Sequence, residues 1–175
     1  MDVYECVRSR RTLRWFKPDV VPEEILGRIL RAARWAPSSR NLQPWHLIVI
    51  RDRVTLIKIG TTATSGRFIA DAPLAIAIAM DSANSDRPEL DAGRALQQME
   101  LVAWSEGLGT CFVSFPVEKQ VRTIKGLLGI PERMKLITVL PFGYRPDDFE
   151  GTGRRKKPLE QMVHLERFGE SYRGA

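Results

Sequence analysis

Apolar residues recur at the three- and four-residue spacing of an amphipathic helix in several separate stretches of the chain. The clearest stretch covers residues 22–36, with Pro22 in its first turn and Pro37 ending it. Its apolar stripe consists of Ile25, Leu26, Ile29, Leu30 and Ala33. Helices are predicted over residues 2–9, 22–36, 54–59, 89–107 and 117–129, and a last one over 159–168.

Shorter stretches rich in β-branched residues predict strands. The stretch PLAIAIAM, residues 73–80, is apolar at every position, so we expect it to be a central strand covered on both faces. Strands are predicted over residues 46–50, 73–80, 108–113 and 134–143. About four strands covered by helices indicate an α+β sandwich, formed by a single domain over residues 1–175.

Positive charge is concentrated near the two ends of the chain, which carries a formal net charge of +6. Two segments without acidic residues hold Arg8, Arg10, Arg11, Arg14, Arg154, Arg155, Lys156 and Lys157. Without those eight, the 27 lysines and arginines fall to 19, below the 21 aspartates and glutamates. Such local clusters favour one or two anion sites, phosphate above all, over a positive coat for nucleic acid. In a helical or turned segment, Arg10 and Arg14 would face one way.

The loop APSSRNLQPW, residues 36–45, is the second candidate site. Two prolines stiffen it, and Ser38, Ser39, Asn41 and Gln43 offer groups that both donate and accept hydrogen bonds. Such a loop suits a flat heterocycle with mixed polar edges. The same side chains could instead close turns on their own backbone, and the residues alone leave both interpretations open.

Other chemistry is less well supported by the sequence. His46 and His164 have no metal-ligand spacing, so no metal site is predicted. Asp91 and Glu100 are explained by a helix start and a solvated helix face. Cys111 is expected to be a buried, unreactive thiol. The two cysteines, the absence of a signal peptide and the lack of an apolar run near ~20 residues predict a cytoplasmic protein without a membrane partner.

Several motifs together resemble the nitroreductase family of flavin mononucleotide (FMN) oxidoreductases. They are RRTLRWF, LGRILRAARWAPSSRNLQPWHLIVI, GLGTCFV, LGIPE, GYRP and RRKKPLEQMVHLERFG, in the order in which the family has them. The resemblance implies an α-β-α sandwich with a mostly antiparallel sheet. It also implies a homodimer with FMN at the interface and the C-terminal tail exchanged with the partner.

The resemblance further implies which residues contact FMN. The phosphate, ribityl chain and pyrimidine edge would be held by Arg10, Arg11, Thr12 and Arg14. A loop partly contributed by the second subunit would supply Pro37, Ser38, Ser39 and Asn41. Two basic residues near the phosphate would be Arg154 and Lys156. The backbone facing flavin N5 and O4 would be that of Val113 and Ser114.

The reaction implied is hydride transfer from NADH or NADPH through flavin N5 to a small-molecule oxidant such as a nitroaromatic or quinone. The flavin performs the chemistry, so no catalytic acid or base is expected. Two regions that carry insertions in larger members are short here, which leaves the substrate and the choice of nicotinamide open. The alternatives are a flavin carrier or sensor without turnover and a basic nucleic-acid-binding module that stacks bases on Trp15 and Phe16.

Overall fold

The computed structural model describes residues 1–149 and 155–172. Its helices are α1 (Val3–Ser9), α2 (Glu23–Arg34), α3 (Arg53–Thr62), α4 (Pro88–Ser105) and α5 (Glu118–Leu128). Its strands are β1 (Trp45–Ile50), β2 (Leu74–Asp81), β3 (Leu108–Thr110) and β4 (Met134–Tyr144). Every helix predicted before residue 130 is therefore present, and so are all four strands.

The four strands form one sheet in the order β1-β2-β4-β3, and all three pairings within the described residues are antiparallel. Strand β2 lies inside the sheet, as predicted, and its residues from Leu74 to Met80 are fully buried. Large and small side chains alternate along β2. Since neighbouring residues of a strand point to opposite faces, each kind lies on one face of the sheet. The large ones face one helical layer and the alanines face the other.

Helices cover the sheet on both faces. Helices α2 and α4 pack on the face that carries Ile76 and Ile78, and α3 and α5 pack on the face that carries Ala77. The small alanines leave room for Leu56, Ile59 and Ile124 on that second face. The result is the predicted α-β-α sandwich, and it places the C-terminal half of α4 beside strand β3.

Two sequence predictions are wrong: the helix in the C-terminal tail and the end of strand β3. The predicted helix over 159–168 is only a 3-10 turn at Leu159–Gln161, because Glu166 and Gly169 take positive φ values of 60° and 97° that interrupt a helix. Strand β3 ends at Thr110 rather than at residue 113. Beyond it, the backbone of Val113 bonds to the side chain of Thr138 in β4 instead of to the backbone of that strand.

Among the described residues, no helix has both the length and the apolar character needed to cross a membrane.

Candidate flavin site

The arginine-rich N-terminal segment, residues 10–16, is extended and pairs with the edge of the sheet. Thr12 forms a parallel bridge with Thr110, and the amide of Leu13 donates to the carbonyl of Thr110 at 3.0 Å. Leu13 is fully buried against Gly109, where a methyl group would lie only 2.4 Å from the Leu13 Cδ2 atom. The segment is thus neither helical nor turned, but the two-residue period of an extended chain also places Arg10 and Arg14 on one side.

Arg10 and Arg14 face a cluster at the junction of α4 and β3. The Arg10 Nη1 atom lies 3.7 Å from the Glu100 Oε2 atom, and Arg14 interacts with the Cys111 thiol. Burial raises the pKa of Cys111, and the nearby Arg14 charge opposes that rise. Cys111 is buried, as predicted, and its raised pKa favours the neutral thiol. Arg14 and Thr12 are exposed, and Arg14 forms no ion pair with any carboxylate of the described residues.

Glu100 corrects a sequence prediction, since it does not lie on a solvated face. Its side chain is only 13% exposed, and burial raises the pKa of its carboxyl, an effect that the Arg10 charge partly offsets. The sequence carried a signal for this position. Glu100 lies four residues after Leu96 and three before Ala103, and both belong to the buried face of α4.

Arg11 points into a different space from Arg10 and Arg14. It lines a cleft of about 1050 Å³ together with Arg8, Lys17, Trp104 and Arg145. The Arg145 guanidinium stacks 4.0 Å from the centre of the Trp104 ring, and burial lowers the pKa of Arg145. The sequence analysis missed this cleft, because Trp104 and Arg145 are distant in the chain and belong to no common motif.

The loop at residues 37–43 has a strained backbone. Arg40, Asn41 and Gln43 have φ values of 49°, 57° and 48°, a left-handed conformation that costs energy for residues other than glycine. Ser38 Oγ accepts from the Gln43 amide at 2.9 Å, so one of the predicted polar side chains does close a turn. Such strain clusters at ligand sites, so this geometry supports a functional loop.

A buried carboxylate anchors this loop to the start of α4. Asp91 is 1% exposed; its Oδ1 atom accepts from the Ser39 amide at 3.2 Å and its Oδ2 atom from the Ser85 hydroxyl at 2.9 Å. Asp91 lies in the first turn of α4, which agrees with the helix start inferred from the sequence. Its oxygens are committed to structure rather than to proton transfer.

The loop and the arginine segment lie at different ends of α4. The loop is anchored at Asp91 and the segment at Glu100, which are about 14 Å apart along the axis at 1.5 Å per residue. A single chain therefore holds the two halves of the predicted site at separate positions. A loop supplied by a second chain, as the family resemblance implies, would avoid this separation.

The remaining residues predicted to contact FMN have few or no bonds within the described part of the chain that would fix their position. The Val113 amide donates to Thr138 Oγ1 at 3.3 Å, whereas Ser114 is exposed next to it. Pro37 and Asn41 are exposed, and so is Lys156. Arg154 lies outside the described residues. The start of the tail does return to the N-terminal segment, since the ring of Phe149 lies 6.5 Å from that of Trp15.

Comparison with known proteins gives a consistent result. The profile described as the nitroreductase family matches residues 7–66 and 60–144. A Methanothermobacter thermautotrophicus protein with the provisional name NADH dehydrogenase/NAD(P)H nitroreductase is 37% identical over 172 residues, which cover 96% of this chain and 88% of that protein.

Two solved structures share the fold over nearly their whole length. An FMN-dependent nitroreductase from Clostridium difficile R20291 superimposes with a TM-score of 0.86 at 29% identity, covering 94% of this chain and 99% of that one. A provisionally named nitroreductase from Desulfovibrio desulfuricans, solved in complex with FMN, gives a TM-score of 0.83 at 26% identity, covering 96% and 98%.

Proposed function

The chain belongs to the nitroreductase family, and from that premise we propose that it is an FMN-dependent oxidoreductase that uses NADH or NADPH to reduce a nitroaromatic or quinone. The observation that carries the proposal is the pair Arg10 and Arg14, held on one side of an extended segment by its bridge to β3. Their residue types match the family motif, and their position beside Cys111 suits a ligand with a phosphate at one end and a ring at the other.

The donor set fits FMN. Arg14 has no carboxylate partner among the described residues, and Arg10 has only Glu100, at 3.7 Å, so both guanidinium groups can donate to a phosphate or to an electron-rich ring edge. Arg10 would hold the phosphate, Arg14 would lie at the pyrimidine edge, and Ser114 would present its backbone to the ring. Bound FMN would supply the redox chemistry, accepting a hydride at N5 and passing it on.

The chain's own residues would bind and tune the cofactor. Arg14 would stabilise negative charge at the ring edge, since a fixed cation in a site of low polarity acts strongly on developing charge. The strained loop 37–43 would cover the ring and exclude water from it. Neither role requires a side chain that exchanges protons, which agrees with the structural use of Asp91.

We also propose a homodimer in which the partner's loop completes the site. Exposed apolar side chains support a second copy: Val3 and Tyr4 on α1 are 76% and 74% exposed, and Trp35 after α2 is 77% exposed. Contiguous apolar surface of this kind marks an association site. The tail, with Phe168 at 94% exposure, is the part that would cross to the partner.

The purified protein tests the function directly. We expect a yellow protein with flavin absorption bands, or one that takes up added FMN, and loss of the colour under anaerobic NADH or NADPH. Restoration of the colour by a quinone would complete the cycle. Flavin that is bound but not reduced by either nicotinamide would indicate a carrier or sensor. A colourless protein that rejects FMN and shifts DNA with a steep salt dependence would indicate the nucleic-acid module.

A further inference from the structure

Glu100 is a buried acid beside the arginine assigned above to the FMN phosphate. It lies in the C-terminal half of α4, and its Oε2 atom is 3.7 Å from the Arg10 Nη1 atom. That separation is too long for a hydrogen bond, so the two charges attract each other without being locked together. Arg10, which is 26% exposed in its side chain, therefore remains available to a stronger anion.

The surroundings of Glu100 limit what else can neutralise it. Arg10 reaches it from the N-terminal segment, and its charge also acts on the Cys111 thiol, which follows β3 and contacts Arg14. Cys111 brings no positive charge, and its burial favours the neutral thiol. Among the residues that the structure describes, Arg10 is therefore the cation that compensates the carboxylate, and burial raises the pKa of Glu100.

We propose that Glu100 is a positioning residue that competes with the FMN phosphate for Arg10 and takes up a proton when the phosphate binds. The inference rests on the proposed function. A phosphate monoester brings nearly two negative charges at neutral pH, so an Arg10 guanidinium engaged by the phosphate no longer fully compensates the carboxylate. Two anions that share a site raise the pKa of one of them, so the carboxylate becomes the neutral partner.

The sign of the pH dependence follows from this exchange. The pKa of Glu100 is higher in the complex than in the free protein, so binding takes up a proton and tightens as the pH falls. The dependence lies between the raised pKa of the free protein and the still higher pKa of the complex. The phosphate itself titrates near pH ~6, and because this titration is common to both proteins, the difference between the wild-type protein and a variant without the carboxyl isolates the share of Glu100.

The test compares FMN binding by the wild-type protein and by Glu100→Gln from pH 6 to pH 9, followed by flavin fluorescence quenching. We expect Glu100→Gln to bind FMN roughly tenfold tighter at pH 8, because one repulsive charge is gone, and to lose the part of the pH slope due to Glu100. Calorimetry in two buffers of different ionisation enthalpy should show more proton uptake by the wild-type protein than by Glu100→Gln, in the pH range where the two affinities differ in slope.

Glu106→Gln is the matched control. Glu106 lies at the end of the same helix, is 19% exposed in its side chain and pairs with an arginine, Arg28, at 2.9 Å. It should leave both the affinity and the pH slope unchanged. If Glu100→Gln weakens FMN binding equally at every pH, or if it takes up as many protons as the wild-type protein does, the inference fails while the proposed function stands. If the wild-type protein binds no FMN at any pH, both fail.

Discussion

Arg14 is the residue with the most direct consequence for the chemistry. It is exposed on the same side of the extended segment as Arg10, and it contacts the thiol at the end of β3. If it lies at the pyrimidine edge, we expect Arg14→Ala to lower the two-electron potential of bound FMN by about 30 mV and to slow its reduction, because the reduced, anionic ring loses a cation.

Potentiometric titration of the FMN-loaded protein measures this change. Arg14→Lys keeps the charge and serves as the control, so its potential should stay near that of the wild-type protein. An alanine variant that retains FMN at the wild-type potential would show that Arg14 does not lie beside the ring.

For single residues, the sequence did not predict the surroundings of each side chain. The family motif identifies Arg10, Arg14 and Ser39 as FMN contacts, which stays a prediction; in the structure their partners are Glu100, Cys111 and Asp91. It did not predict the environment of Glu100, because a charged residue beside an apolar stripe normally points to water. The spacing of Glu100 from Leu96 and Ala103 does signal burial, but its contact with Arg10 is long-range and no local pattern predicts it.

The N-terminal segment, residues 10–16, positions the candidate site by packing against β3. Gly109 makes this packing possible, since an added Cβ would lie 2.4 Å from the Leu13 Cδ2 atom and 2.7 Å from its Cβ atom. We expect Gly109→Ala to destabilise the fold by about 1–3 kcal/mol through overpacking, and to weaken FMN binding by displacing Arg10 and Arg14.

Chemical denaturation and FMN titration measure the two effects of Gly109→Ala. Gly126→Ala is the control, because Gly126 lies within α5 and an added Cβ would meet nothing within 4 Å. That variant should gain about 0.5–1 kcal/mol from helix propensity and bind FMN as the wild-type protein does. Equal stability and equal FMN affinity in the two variants would refute the role of Gly109.

Elements with strong periodicity were predicted well, and those that depend on tertiary contacts were not. Helix α2 follows from its apolar stripe, and strand β2 follows from its continuous apolar run. The end of β3 depends on the Thr138 hydroxyl, which bonds to both the amide and the carbonyl of Val113. The tail carries helix-compatible residues, but its backbone turns at Glu166 and Gly169.

For the whole molecule, the exposed apolar surface of the single chain supports the homodimer that only the family resemblance implied. Apolar residues stand exposed on α1 and after α2, and the tail adds Leu165 and Phe168 at 53% and 94% exposure. The strained loop and the arginine segment, about 14 Å apart along α4, would form one site only across two chains. Association and cofactor binding should therefore depend on each other.

We expect the wild-type protein to sediment as a dimer at micromolar concentration, and the double variant Leu165→Ser, Phe168→Ser to dissociate at least about tenfold more readily, because each large apolar side chain contributes roughly 1.5–3 kcal/mol when buried. FMN content should fall with the dimer fraction. Val54→Ser is the control. Val54 is 57% exposed and lies on α3, on the opposite face of the sheet from α2 and α4. A wild-type monomer that binds one FMN per chain would show that the site needs no partner, and the exposed tail would then require another explanation.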